Sequence, residues 1–221
     1  MLPVSRLLPL AFGYFRFLMW QRPLWKIRFS HSNKLKLNGK WVNCKLSISG
    51  KNNNIVIKNC FLRNVSISIK GNNNDLIIED DVKFMEGGKI RIEDTCNSIF
   101  IDKKSSLINC FLSLADHNTN IKIGENCLFS SDVIIRTSDS HSIIDIENNK
   151  RINPGQSVEI GKHVWVCNGV NIMKGVKIGD NSIIGTQSLV TRDIPENSLA
   201  VGNPAKVVKS NVNWNVKRLK D

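Results

Sequence analysis

Of the four histidines in this 221-residue chain, His141 has the setting best suited to chemistry. It lies in Asp139-Ser140-His141-Ser142, and behind it residues 147–157, ENNKRINPGQS, are rich in turn formers and lack regular aliphatic spacing, which predicts a projecting loop. An imidazole ordinarily changes charge between about pH 5 and 8, so a histidine at the root of such a loop is a candidate general base. One corner earlier stand Asp116 and His117, where the carboxylate could orient an imidazole or a substrate group. His163 precedes an inward aliphatic position and is expected to point outward, and His31 lies outside the regular part of the chain. The six cysteines form no C-x-x-C pair and have no histidine at zinc-ligand spacing, so no metal is expected. Three recur in similar strings, Asn59-Cys60-Phe61, Asn109-Cys110-Phe111 and Asn126-Cys127-Leu128, which suits small buried hydrophobes and a reducing compartment.

The elements that must position His141 are legible as repeats. From Ile160 an aliphatic residue returns every sixth position, at Val166, Ile172, Ile178, Ile184 and Val190, and a second inward series runs Val164, Val170, Val176, Ser182, Ser188, Ile194. A period of six fits neither a helix nor a long flat strand. It fits short strands joined by tight bends, three to a coil, stacked as a parallel β-helix of hexapeptide repeats, an all-β fold. Upstream, four strings beginning at Ile48, Ile69, Ile92 and Leu114 repeat the design with extra residues, largely asparagine, at one corner. Asparagine tolerates the left-handed conformation, and stacked asparagines can pair along the coil axis. About eight coils between residues 40 and 200, at roughly 4.8 Å each, give a prism on the order of 40 Å long. Counting forward from Asp116 reaches Asp139, so Asp139–Ile146 takes the place of an asparagine corner and residues 141–157 form an excursion from the prism. A long excursion in a regular repeat marks a binding site.

Lysine and arginine total 31 against 19 acidic residues, a net charge of +12. The excess is not uniform: residues 1–74 hold 13 basic side chains and no acidic one, residues 75–202 hold 13 against 18, and the tail is basic again. That distribution argues against a uniformly basic nucleic-acid face, and nucleic acid is not expected as a partner. Residues 7–20, LLPLAFGYFRFLMW, are too short to span a bilayer and lack a signal-peptide cleavage site. Residues 1–39 are therefore read as a basic, apolar, helical or irregular segment that caps the prism or touches an anionic membrane surface.

The string from Ile160 to Lys209, with its closing Val201-Gly-Asn-Pro-Ala-Lys-Val-Val-Lys209, resembles the hexapeptide-repeat acetyltransferases. His141 also stands 24 residues before Trp165, as in the sugar O-acetyltransferases of that family, which include enzymes of capsular polysaccharides, polysialic acid, galactosides and maltose. The resemblance implies a left-handed β-helix, a homotrimer with sites between subunits, and acetyl-CoA as the acetyl donor. It implies His141 as general base and Trp165 lining the acyl site. It implies cofactor contacts at Asn168, Thr186, Thr191 and Arg192, with Lys206 and Lys209 meeting phosphates in a tail spanning 201–221. Backbone N–H groups near Asn168 and Thr186 would meet the oxyanion. The expected acceptor is a sugar hydroxyl of a bacterial surface polysaccharide, and the expected location is cytoplasmic, peripheral at the inner face of the plasma membrane. Competing readings are an N-acetyltransferase acting on a nucleotide-linked amino sugar and a non-catalytic glycan-binding β-helix. A zinc hydratase on such a fold would need three converging histidines, and serine O-acetyltransferases carry a large helical N-terminal domain with no counterpart in residues 1–40.

Overall fold

An aliphatic pair separated by one residue, such as Ile55 and Ile57, sends both side chains to the same side of an extended backbone. Repeated at each turn of the chain, such pairs line a common interior, and the computed structural model, which describes residues 32–220, is built on that rule throughout. The N-terminal stretch at 7–20 and His31 lie outside the described residues.

Three parallel sheets form the sides of the prism. Sheet A has seven strands, from Lys34–Leu37 to Lys177–Ile178. Sheet B begins at Lys40–Val42 and sheet C at Lys45–Ser49; C also has seven strands and ends at Leu189–Val190. Successive strands pass from A to B to C and back to A one coil higher, giving seven full coils. Each residue pairs with its counterpart one coil away: Ile55, Leu76, Ile99, Ile121 and Val158 form one column, all fully buried. Every inward position of the two series after Ile160 is buried as well. The fold is the expected parallel β-helix, and the described residues contain no helix.

The corner from C to A is the long one, and it holds a buried ladder. The N–H of Asn53 donates to Asn33 Oδ1 at 2.9 Å, its Nδ2 donates to the Gly71 carbonyl at 3.0 Å, and its Oδ1 accepts from the N–H of Asn74 at 3.0 Å. Asn74 and Asn97 repeat the pattern, which passes to Thr119 and then to the Thr137 hydroxyl, 3.0 Å from that of Thr119. Residues just before these asparagines take positive φ, 56° at Asn52 and 55° at Asn73, as the left-handed corner requires. At Gly71, with φ of +137°, a Cβ would collide with the Asp94 carbonyl of the next coil. The ladder ends at Thr137, and there the long excursion leaves the prism.

Cys60, Cys110 and Cys127 are buried as expected, and desolvation raises their thiols to about 11, 12 and 12. Cys96 departs from that pattern: it is an exposed corner residue with φ of 61°. Beyond the last full coil, Ser198–Gly202 extends sheet B and pairs antiparallel with Ala205–Ser210. The chain then runs back along the A–B edge, where the N–H of Val212 donates to the Asn197 carbonyl at 2.9 Å. No helix among the described residues is long and apolar enough to cross a membrane.

Candidate active site

The excursion joins Ile134–Arg136 of sheet C to Val158–Ile160 of sheet A and folds into a small antiparallel hairpin, Ile144–Asp145 with Lys150–Arg151. Nothing inside the prism holds it; Ile143, Ile144, Ile146 and Ile152 are all exposed. Its anchorage is polar. Arg151 grips Asp116 with two parallel bonds of 2.8 and 2.7 Å, and the Ser138 hydroxyl adds a third at 3.0 Å. Lys174, one coil higher, reaches Asp139 at 2.5 Å and the Asn153 carbonyl at 3.1 Å. Asn153 is the buried member of the loop: its Nδ2 donates to Asp139 and to the His141 carbonyl, both at 2.8 Å, while its Oδ1 accepts from the Ile143 N–H at 2.7 Å. One amide thus fixes the backbone on both sides of the His141 ring, which is exposed and free of bonds to the described residues. The Arg151 hydrogen bonds hold the Asp116 carboxyl below the usual carboxylate range, and the Lys174 bond does the same for Asp139. Asp116 therefore anchors the loop through Arg151 and does not orient an imidazole.

Trp165 lies on the outer side of sheet B, between Leu128 and Ile183 of the neighbouring coils. Its Nε1–H is buried and has no hydrogen-bond partner among the described residues. Trp214, from the returning C-terminal segment, packs over it with ring centroids 5.9 Å apart and planes tilted by 46°. Trp214 is itself fixed by stacking on His163 at 4.3 Å and by donating from Nε1 to the His163 carbonyl at 2.7 Å. His163 faces outward at a left-handed corner with φ of 52°, its Nδ1 3.2 Å from Asn181 Oδ1.

The eight expected site residues fall into two groups. His141, Thr191 and Arg192 lie along the edge between sheets C and A. Trp165 lies on sheet B, Asn168 and Thr186 at the edge between B and C, and Lys206 and Lys209 on the final strand of sheet B. In a three-sided prism the C–A edge is the one edge that sheet B does not share, so His141 and Trp165 of one chain stand on opposite sides of its core. Asn168 donates to Ser131 at 2.8 Å. The amides of Cys167, Gly169, Gly185 and Gln187 donate to neighbouring coils, whereas those of Asn168 and Thr186 make no bond to the described residues. Thr191, Arg192, Lys206 and Lys209 are exposed.

Asn153, Arg151, Lys174 and Trp214 were not singled out from sequence. Asn153 resembles any loop asparagine until its burial is seen, and Trp214 lies beyond the last repeat, where no period marks it. The only available signal was Asp139 itself, which follows Asp94 and Asp116 at the same corner position.

Comparison with known proteins agrees with this architecture. The family described as bacterial transferase hexapeptide (six repeats) matches residues 157–192. A polysialic acid O-acetyltransferase of Neisseria meningitidis is 37% identical over 77% of this chain and 79% of its own length. Another, of Escherichia coli O1:K1, is 39% identical over 60% of this chain, but the match spans only 44% of that relative. The crystal structure of the polysialic acid O-acetyltransferase OatWY superposes with a TM-score of 0.77 at 33% identity, covering 87% of this chain and 88% of the other. With its hexad core, its left-handed β-helix and these relatives, the chain belongs to the hexapeptide-repeat acyltransferase family.

Proposed function

We propose that the protein is an acetyl-CoA-dependent O-acetyltransferase acting on a sugar hydroxyl of a bacterial surface polysaccharide, with His141 as general base and sites completed between copies of a homotrimer. The observation that carries this reading is an exposed, unpaired imidazole presented by an anchored loop, in a chain whose relatives are named polysialic acid O-acetyltransferases. Acetyl-CoA supplies an activated acyl thioester. His141 takes the proton from the acceptor hydroxyl as its oxygen bonds to the acyl carbon, then returns it to the departing thiolate. The buried Trp165 N–H and the unclaimed amides of Asn168 and Thr186 are suited to oxygens of the thioester and pantetheine arm. Thr191, Arg192, Lys206 and Lys209 are suited to the phosphates.

The opposed positions of His141 and Trp165 are the reason to invoke a second copy. The prism surfaces support it. Sheet A carries an outward row of Val56, Ile77 and Phe100, and sheet B carries Phe61, Leu128, Trp165 and Leu199, whereas sheet C is polar and basic in its early coils and carries Phe111, Ile134 and Leu189 further along. Packing A of one copy against B of the next buries the apolar rows, brings the C–A edge with His141 toward Trp165 of the neighbour, and leaves C in solvent. The experiment is acceptor-dependent thiol release from acetyl-CoA with a panel of acidic and neutral capsular glycans and a nucleotide-linked amino sugar. Release with a polysaccharide and transfer to oxygen is expected; release with the amino sugar alone would replace this reading with N-acetyl transfer.

A further inference from the structure

The unassigned feature of the molecule is the outer face of sheet C. Its cations, Lys45, Lys70, Lys89, Arg91 and Arg136, are met there by a single carboxylate, Glu93, which Arg91 holds at 2.7 Å. The other four have no acidic partner among the described residues. Between them the outward positions are mostly serine, Ser47, Ser66, Ser68 and Ser113. Unpaired cations on a rigid sheet, with hydroxyls between them, form a preorganised receptor for anions rather than a solvated face of mixed sign.

At the centre of this face Phe111 is clasped from both sides. The Lys89 ammonium is 5.1 Å and the Arg136 guanidinium 5.6 Å from its ring centroid. The ring braces both cations, lowering the entropy lost when they meet a ligand. In-register rows repeat at about 4.8 Å, close to the span of one pyranose unit, so successive acidic sugars can address successive coils. Arg136 ends the strand that runs directly into the His141 loop. Sheet B has a similar cluster, with Lys40 and Arg63 5.9 and 5.4 Å from Phe61, but Lys83, Ser106 and Leu128 separate Phe61 from Trp165. A membrane would require apolar side chains free to insert, whereas Phe111 is half-buried and flanked by charge.

We infer that the outer face of sheet C is a docking track for an extended acidic polysaccharide, held by Lys89, Arg136 and the serine rows and led along the prism to His141. This rests on the acetyltransferase reading for the polymer's fate, but not for its binding. The test therefore reads binding without turnover, using full-length protein with His141→Ala and three probes: polysialic acid, phosphatidylserine vesicles and duplex DNA. Binding to polysialic acid is expected, at least about tenfold weaker with Lys89→Gln/Arg136→Gln and unchanged with the charge-matched pair Lys40→Gln/Arg63→Gln. Gel filtration and melting temperature verify that both pairs stay folded. Equal weakening by both pairs, no weakening by the first, or tighter binding of vesicles or DNA than of polysialic acid would overturn the track. If the track holds while no glycan elicits thiol release from the wild type, the proposed reaction fails and the docking surface stands.

Discussion

The loop that carries His141 is held in place by Asp116, Arg151, Asp139, Lys174 and Asn153, and their chemistry sets what acid does to it. Asp116 and Asp139 have carboxyls held below their ordinary range by Arg151 and Lys174. Groups shifted this way contribute stability that is fully present above the ordinary carboxylate pKa and lost only as pH falls through the depressed values. The loop should therefore stay anchored from about pH 5 upward, and its proteolytic susceptibility at 145–152 should be flat between pH 5 and 8. Asp116→Asn should raise that susceptibility across the whole range; loosening of the wild-type loop between pH 8 and 5 would contradict the anchor. At Trp165, Phe keeps much of the ring and removes the N–H. Trp165→Phe should lower turnover several-fold with an unchanged melting temperature, and unchanged turnover would take the N–H out of the chemistry. The excursion that carries His141 was legible in the sequence because it broke a repeat. Asn153 was not, since burial depends on how a loop folds back, and no period records that.

At the scale of the element, stability resides in columns shared by successive coils. Phe129 is fully buried in sheet B, and Phe129→Ala should destabilise the protein by about 3–5 kcal/mol in denaturant unfolding. Asn74→Ala should cost about 1–3 kcal/mol because it leaves ladder donors and acceptors of the adjoining coils unpaired inside the prism. A cost below a few tenths of a kcal/mol would mean that the ladder is replaceable by solvent. Trp214→Ala tests the returning segment: it should expose Trp165 and red-shift tryptophan emission while leaving the coils folded. The hexads from Ile160 to Val190 announced their columns because strand, corner and core share one period. The C-terminal segment has no period, so its packing on His163 and Trp165 came only from three dimensions.

At the scale of the whole molecule, two features of composition acquire positions. The basic surplus of the early coils is spread over all three sheets, with Lys34 and Lys36 on A, Lys40 and Arg63 on B and Lys45 and Lys70 on C, and the acidic residues of the middle serve corners and anchors such as Asp116 and Asp139. On the proposed assembly, the separation of His141 from Trp165 across one prism would make activity a property of neighbouring copies. Co-assembling inactive His141→Ala with inactive Trp165→Ala should restore turnover, because some interfaces then pair an intact histidine with an intact tryptophan. No recovery in mixed oligomers would place both residues in one chain's site. The central claim, that His141 is the base for acetyl transfer to a polysaccharide hydroxyl, is tested most directly by acceptor-dependent thiol release with His141→Ala. A loss of at least about a hundredfold, in protein with native melting temperature and oligomeric size, is the predicted result, and near-normal turnover would contradict it.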